Sequence, residues 1–434
     1  MGKRVLISFL GAAVEKGRKY STANYTFADG TVIQSTFIAK ALKEYNHIDR
    51  LILIGTAHSM WEEVYKSFGT GPMQEYDRWW EVLYEACESS NHEHSFLLPE
   101  HIDALEQRMG GDSKAIVIKY GLNDDEIGYN TRQILGIEKM LNEDDEIYLD
   151  ITHSFRSLPI YLMNCLIYIN NVSSKNIKLK SISYGMLDVS SEFGEKSDRN
   201  TWKTPVVELK KLMDVQDWIT GAYNFMEFGN TYKMAKLLEN DTTGDYKDAA
   251  KALRKFADLK NLNYLREFMY GFKSIGQLAN SHSLPDIGEI LIPDIIDKFA
   301  KRFPTSISQT AYQYRMAEWH EKHHNYGYAL INLVESALTF CCELIPYEKR
   351  KQIRRALNYV KEDRGVQEVE LLRNSLNIKM SSLGMNFNEY NRQYDIINGN
   401  RNMVAHDLDR NKSYADIIKE LKEGLLYFKT YLGR

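Results

Sequence analysis

A chain of 434 residues exceeds the roughly 250–300 at which one hydrophobic core stops growing, so two or three domains are expected. With 44% hydrophobic and 26% charged residues the composition is globular, which excludes a fibrous or disordered chain. A net charge of −4 excludes a surface coated in cations for gripping duplex DNA, so any nucleic-acid contact has to be local. The four cysteines, Cys87, Cys165, Cys341 and Cys342, lack CxxC spacing and read as buried thiols of a reducing, cytoplasmic compartment. The longest apolar segment, Pro159–Ile169, falls short of the roughly 18 residues of a membrane span and reads as a buried helix. No membrane association is expected.

The first 200 residues alternate short apolar runs with amphipathic stretches, the pattern of a parallel sheet with crossover helices. The runs are Val5–Leu10, Leu51–Ile54, Ala115–Ile118, Ile147–Ile151 and Ile182–Tyr184, the first four too apolar for a strand with a solvated face. In a later run, Pro205–Leu209, the proline predicts an edge strand. Open parallel sheets bind ligands beyond the carboxyl ends of their strands. Those ends carry Gly11 and Ala12, then Gly55, Thr56, His58 and Ser59, then Gly121 and Asn123, then Asp150 to Arg156, and the pocket is expected among them.

From about residue 211 strand runs vanish and apolar residues recur at helical spacing, as in Trp218, Ala222, Phe225 and Met226. Breaks are expected at 240–244, 281–285, 303–305 and 398–400, all with turn chemistry. Ser413 is placed to cap the last helix, which carries Ile417, Leu421, Leu425 and Phe428 on one face. The division expected is an α/β Rossmann-like domain over 1–205 with a parallel-rich sheet, and an all-α domain over 206–434.

Two constellations carry chemistry. In Asp150, Thr152, His153, Ser154, Phe155 and Arg156 a buried strand hands over to a helix, with Pro159 fitting the first helical turn. Backbone N–H groups at a helix start, two hydroxyls and a guanidinium suit a phosphate. The structural alternative is that Asp150 and Ser154 cap the helix and His153 is a satisfied core histidine. The second constellation is Arg401, Asn402 and His406, an R-x4-H element. On a helix Asn402 and His406 share a face with Arg401 at its margin, and Val404 and Ala405 suit packing against a partner. A histidine that moves protons beside an arginine that stabilises phosphorane charge can cut RNA without metal, the 2′-hydroxyl being the attacking group. Arg315 and His320 repeat the spacing, but among Glu318, Trp319 and Lys322 they read as a charged helix surface. His320, His323 and His324 at i, i+3 and i+4 lack HExxH order, and no metal site, dinucleotide fingerprint or Walker A sequence is found.

With both constellations in place the chain resembles the CARF–HEPN ribonucleases associated with type III CRISPR systems. The family's D-x-T-H-[GS]-F-R pattern is matched by Asp150, Thr152, His153, Ser154, Phe155 and Arg156, and its G-T turn by Gly55 and Thr56. Its R-x4-6-H element, with a polar residue after the arginine, is matched by Arg401, Asn402 and His406. The glycine-rich turn after the first strand is matched only in part by Gly11, Ala12 and Ala13. The resemblance implies a HEPN-like helical domain and a sensor that binds cyclic oligoadenylate, with cyclic tetra-adenylate expected and the hexa-adenylate as alternative. It implies a homodimer, or a higher oligomer, that cuts single-stranded RNA in antiviral defence and needs no cofactor. The rival reading is a non-catalytic regulator, binding the same ligand, whose helical domain only changes partners.

Overall fold

The computed structural model describes residues 2–12, 20–69, 73–153, 157–195, 197–241, 244–265, 267–268, 286–304, 307–358, 366–406 and 412–433. The chain divides into two compact units, Met1–Asp214 and Val215–Arg434.

The first unit is built on an eight-stranded sheet of order β3-β2-β8-β7-β6-β1-β4-β5. Its strands are β1 Arg4–Phe9, β2 Ala23–Thr26, β3 Val32–Ser35, β4 Arg50–Thr56, β5 Lys114–Ile118, β6 Glu146–Asp150, β7 Lys178–Gly185 and β8 Lys203–Glu208. The five strands β5, β4, β1, β6 and β7 are mutually parallel. The helices are α1 Ile38–Tyr45, α2 Trp61–Ser67, α3 Met73–Ser89, α4 Pro99–Met109, α5 Asp124–Leu135, α6 Ile137–Met140 and α7 Leu158–Asn171. Alternation along β1 sends Leu6 to a core with Ile38, Trp61 and Leu105, and Val5, Ile7 and Phe9 to a second core with Ile134, Leu162 and Leu166. Helices therefore cover both faces, which explains why β4 is buried at every position.

Sequence patterning misplaced two features here. The hairpin β2–β3 was not expected, since Ala23–Thr26 and Val32–Ser35 are short and polar, although its Asp29-Gly30 turn, with Gly30 at φ 86°, is a hairpin signal. Pro205 does not mark an edge. β8 pairs with β2 through Lys203–Pro205 and with β7 through Val206–Glu208, so the proline sits where the strand changes partner.

The second unit is helical among its described residues. α8 Lys211–Phe228 begins in the first unit, and α9 Tyr232–Asn240, α10 Lys247–Asn261, α11 Asp286–Arg302 and α12 Gln309–Lys322 follow. Then come α13 Tyr326–Leu344, α14 Arg350–Leu357, α15 Val366–Ser382, α16 Phe387–His406 and α17 Tyr414–Leu432. Two cores meet at α12, where Tyr314 and Ala317 join one and Tyr312, Met316 and Trp319 the other. α12 is thus a core helix and not the charged surface expected of Arg315–His320. α13 is the one helix among the described residues long and apolar enough to cross a membrane, and more than half of it is buried within the unit. It is a longer apolar stretch than Pro159–Ile169, whose helix α7 buries one face and leaves Ile160 exposed. The break expected at 398–400 is absent, because α16 runs through it. Segment 281–285 lies outside the described residues. Ser413 caps α17, its hydroxyl accepting from the Asp416 N–H at 3.1 Å.

Candidate functional site

A cavity of about 370 Å³ opens at the carboxyl ends of β1, β4, β6 and β7, lined by Gly11, Thr56, Thr152, His153, Tyr184 and Gly185 among others. β1 lies between β4 and β6, where strand order reverses direction, and open α/β sheets place their crevice at that point.

The rim is tied together by short polar contacts. The Ser59 hydroxyl donates to the Leu10 carbonyl at 2.9 Å and accepts from the Thr56 N–H at 2.9 Å, joining the β4 turn to the end of β1. Gly55 permits that turn, since an added Cβ would lie 2.8 Å from the Ser59 hydroxyl and 2.9 Å from the Trp61 ring. Below the cavity Asp150 is fully buried, accepting from the Ser8 hydroxyl at 2.6 Å and the Thr152 N–H at 2.9 Å. Burial pushes its carboxyl up despite those donors, and burial pushes the His153 imidazole down. The Thr152 hydroxyl accepts from the Gly185 N–H at 2.7 Å and is itself a hydrogen-bond partner of the Asp150 carboxyl, so it ties the end of β7 to the end of β6 at the cavity wall.

His153 lines the cavity with its buried Nε2 unpartnered, which sets aside the reading of a satisfied core histidine. Asp150 does not cap α7, which begins at Leu158 with Pro159 in its first turn. Ser154, Phe155 and Arg156 lie outside the described residues.

Of the residues singled out from sequence, Gly11, Ala12, Thr56, Ser59, Thr152 and His153 line this cavity. Gly55 and Asp150 support it from behind. His58 is turned aside, its Nδ1 2.8 Å from the Cys87 carbonyl. Asn123 caps α5 by accepting from the Glu126 N–H at 3.0 Å, and Gly121 takes the positive φ of the preceding turn. Neither lines the cavity. Sequence reasoning missed Tyr184, Gly185 and Asp188, although the carboxyl-end rule extends to β7.

In the second unit Arg401, Asn402 and His406 stand on the last two turns of α16, with Arg401 and Asn402 half-buried and His406 exposed. The helix packs inward through Tyr390, Tyr394, Ile397 and Asn400, with Arg401 one turn beyond Ile397 on that face and Asn402 and His406 turned away from it. Buried Asn400 donates to Glu420 at 2.7 Å and accepts from Lys412 at 2.8 Å, which pins the end of α16 to α17. Arg401 Nη2 donates to Asn398 Oδ1 at 2.9 Å, and no hydrogen bond joins Arg401 to His406. The rival histidine, His320, is fully buried with neither ring nitrogen partnered, and burial above all lowers its pKa to about 3. A residue so placed is shut off from solvent and held neutral by burial. Among the described residues no group of three or more His, Cys, Asp or Glu is gathered to hold a metal.

Comparison with known proteins follows the same division. Residues 5–187 match the family described as CRISPR system endoribonuclease Csx1, CARF domain, and residues 214–308 match CRISPR-associated protein MJ1674, second domain. The chain is 31% identical over 455 residues to CRISPR-associated protein MJ1674 of Methanocaldococcus jannaschii, across 96% of this chain and 69% of that protein. Among solved structures, Enterococcus italicus Csm6 bound to cyclic hexa-2′-fluoro-hexa-dAMP aligns over 99% of this chain and 94% of its own, at a TM-score of 0.40 and 13% identity.

Proposed function

Since this chain belongs to the CARF-containing, CRISPR-associated family of MJ1674, we propose that it is a ribonuclease switched on by cyclic oligoadenylate in type III CRISPR defence. The observation that carries the reading is the cavity at the strand ends, lined by Gly11, Thr56, Thr152 and Gly185, into which His153 brings an unpartnered ring nitrogen. Such a polar, glycine-edged crevice suits the phosphates and base edges of a nucleotide. Binding shifts the enzyme toward its cutting conformation by as much as the ligand prefers that state. A cyclic tetra-adenylate seated across two sensor domains of a homodimer is the ligand and assembly favoured.

Cutting is assigned to the helical unit. The 2′-oxygen of single-stranded RNA attacks the adjacent phosphorus while the bond to the 5′-oxygen breaks. His406 transfers the proton at one of these oxygens, taking it from the 2′-hydroxyl or giving it to the 5′-oxygen, and solvent water serves the other, while Arg401 stabilises the phosphorane charge and Asn402 holds the phosphate. The products are a 2′,3′-cyclic phosphate and a 5′-hydroxyl, and the step needs no metal. A fold that places His406 in solvent on a pinned helix end supports this over the buried His320.

A thermal-shift series with cyclic tri-, tetra- and hexa-adenylate tests the sensing half of the reading, because a ligand that binds only the folded state raises Tm. Tetra-adenylate is expected to raise it most. No shift with any ring would sink the sensing role.

A further inference from the structure

We propose that α14, Arg350–Leu357, is a track for the RNA phosphate backbone that delivers the strand to Arg401. This rests on the cut-site reading above and extends it to how the substrate is held. α14 carries Arg350, Lys351, Arg354 and Arg355 and no acidic residue, in a chain whose net charge is −4. Its roll is fixed, because Ile353, Ala356 and Leu357 are buried. Helical spacing then sets Arg350, Arg354 and Asn358 one turn apart in a row, with Lys351 beside it.

The row ends at the proposed cut site. Asn398 Nδ2 donates to Asn358 Oδ1 at 3.2 Å, and Asn398 Oδ1 accepts from Arg401 at 2.9 Å. The buried Tyr394 hydroxyl, pushed up to about 12 chiefly by burial, feels the positive charge of Arg354 and, more weakly, that of Arg401. Charge in the row is not cancelled. Glu335 is shared by Arg350 and Arg354, so two cations meet one anion and a net +1 remains. Lys351 is exposed and adds a further charge, and Arg401 continues the line. Arg350 and Arg354 keep 40% and 44% of their side-chain surface open, so a phosphate can reach them. A short row of cations leading to a group that acts on a 2′-hydroxyl phosphodiester fits single-stranded RNA.

The test is fluorescence anisotropy of a labelled single-stranded RNA on full-length His406→Ala protein with cyclic tetra-adenylate present, over about 50 to 200 mM salt. The double variant Lys351→Glu, Arg354→Gln in that background is expected to bind at least about tenfold more weakly. Its log–log salt slope is expected to be shallower by about 1.4, two phosphate contacts on a single strand. Arg354→Lys, which keeps the charge, is expected to restore most of Arg354→Gln's loss, and Lys236→Glu on α9 to change nothing. Unchanged affinity and slope in the double variant would overturn the track. Because binding is read without cleavage, failure of the cut-site reading would show separately, as RNA cleavage by His406→Ala at the wild-type rate.

Discussion

The hydroxyl of Ser8 on β1 donates a 2.6 Å hydrogen bond to the carboxyl of Asp150 at the end of β6, at a depth where both residues are buried. It joins the two strands at the point where sheet order reverses, under the floor of the cavity. Ser8→Ala leaves the buried carboxyl with Thr152, through its N–H and its hydroxyl, as its remaining hydrogen-bond partner. Losing a buried partner costs about 1–3 kcal/mol, so the urea midpoint is expected to fall by that equivalent. An unchanged midpoint would show that the pair contributes nothing to the frame of the site.

The β4 turn has no room for a side chain at Gly55, where an added Cβ would come within 2.8–2.9 Å of Ser59 and Trp61. Gly55→Ala is expected to destabilise the first unit by about 1–3 kcal/mol through overpacking. The same shift moves Ser59 off its bonds to Leu10 and Thr56, so the Tm rise on adding cyclic oligoadenylate is expected to shrink. A full ligand response in a folded Gly55→Ala protein would show that the turn does not shape the cavity.

Acid sensitivity is expected from His320. Burial, with the neighbouring charges of Lys260 and His323, lowers its pKa to about 3 from an ordinary 6.5. The unfolded chain therefore binds a proton below about pH 6.5 that the folded chain refuses, so stability is full above that pH and falls toward pH 3. The slope contributed is up to about 1.4 kcal/mol per pH unit. His320→Leu removes it, and denaturant midpoints at pH 7 and pH 5 are expected to differ less in the variant than in the wild type. Equal differences would place a charged histidine at this position.

Legibility in the sequence followed burial. Strands such as Leu51–Ile54, buried on both faces, announced themselves as continuous apolar runs. The polar hairpin Ala23–Ser35 did not, and Pro205 misled because its strand is paired on different sides before and after the proline. The site was legible where strand ends carried Gly, Thr, Ser and His, as at Thr56 and Thr152. Asn123 wore the same chemistry and serves as a helix cap, since a side chain that accepts from a free N–H does so for a helix or a ligand alike. Asn398-Gly399-Asn400 read as a turn, but packing of Ile397 and Asn400 carries α16 through it, so tertiary contacts override local propensity there. The flanking residues that read as a charged surface around Arg315 misjudged its helix, where His320 is enclosed, while His406 on α16 is exposed; burial is a tertiary property that the shared spacing does not encode.

The most direct measurement is cleavage of a labelled single-stranded RNA by wild type, Arg401→Ala, His406→Ala and Arg315→Ala proteins, each with and without cyclic tetra-adenylate and in the presence of EDTA. Wild type is expected to be accelerated by the ligand and to leave 2′,3′-cyclic phosphate ends. Arg401→Ala and His406→Ala are expected to lose at least about a hundredfold in rate while Arg315→Ala keeps it. Wild-type cleavage by His406→Ala, or a rate that cyclic oligoadenylate leaves unmoved, would contradict the account.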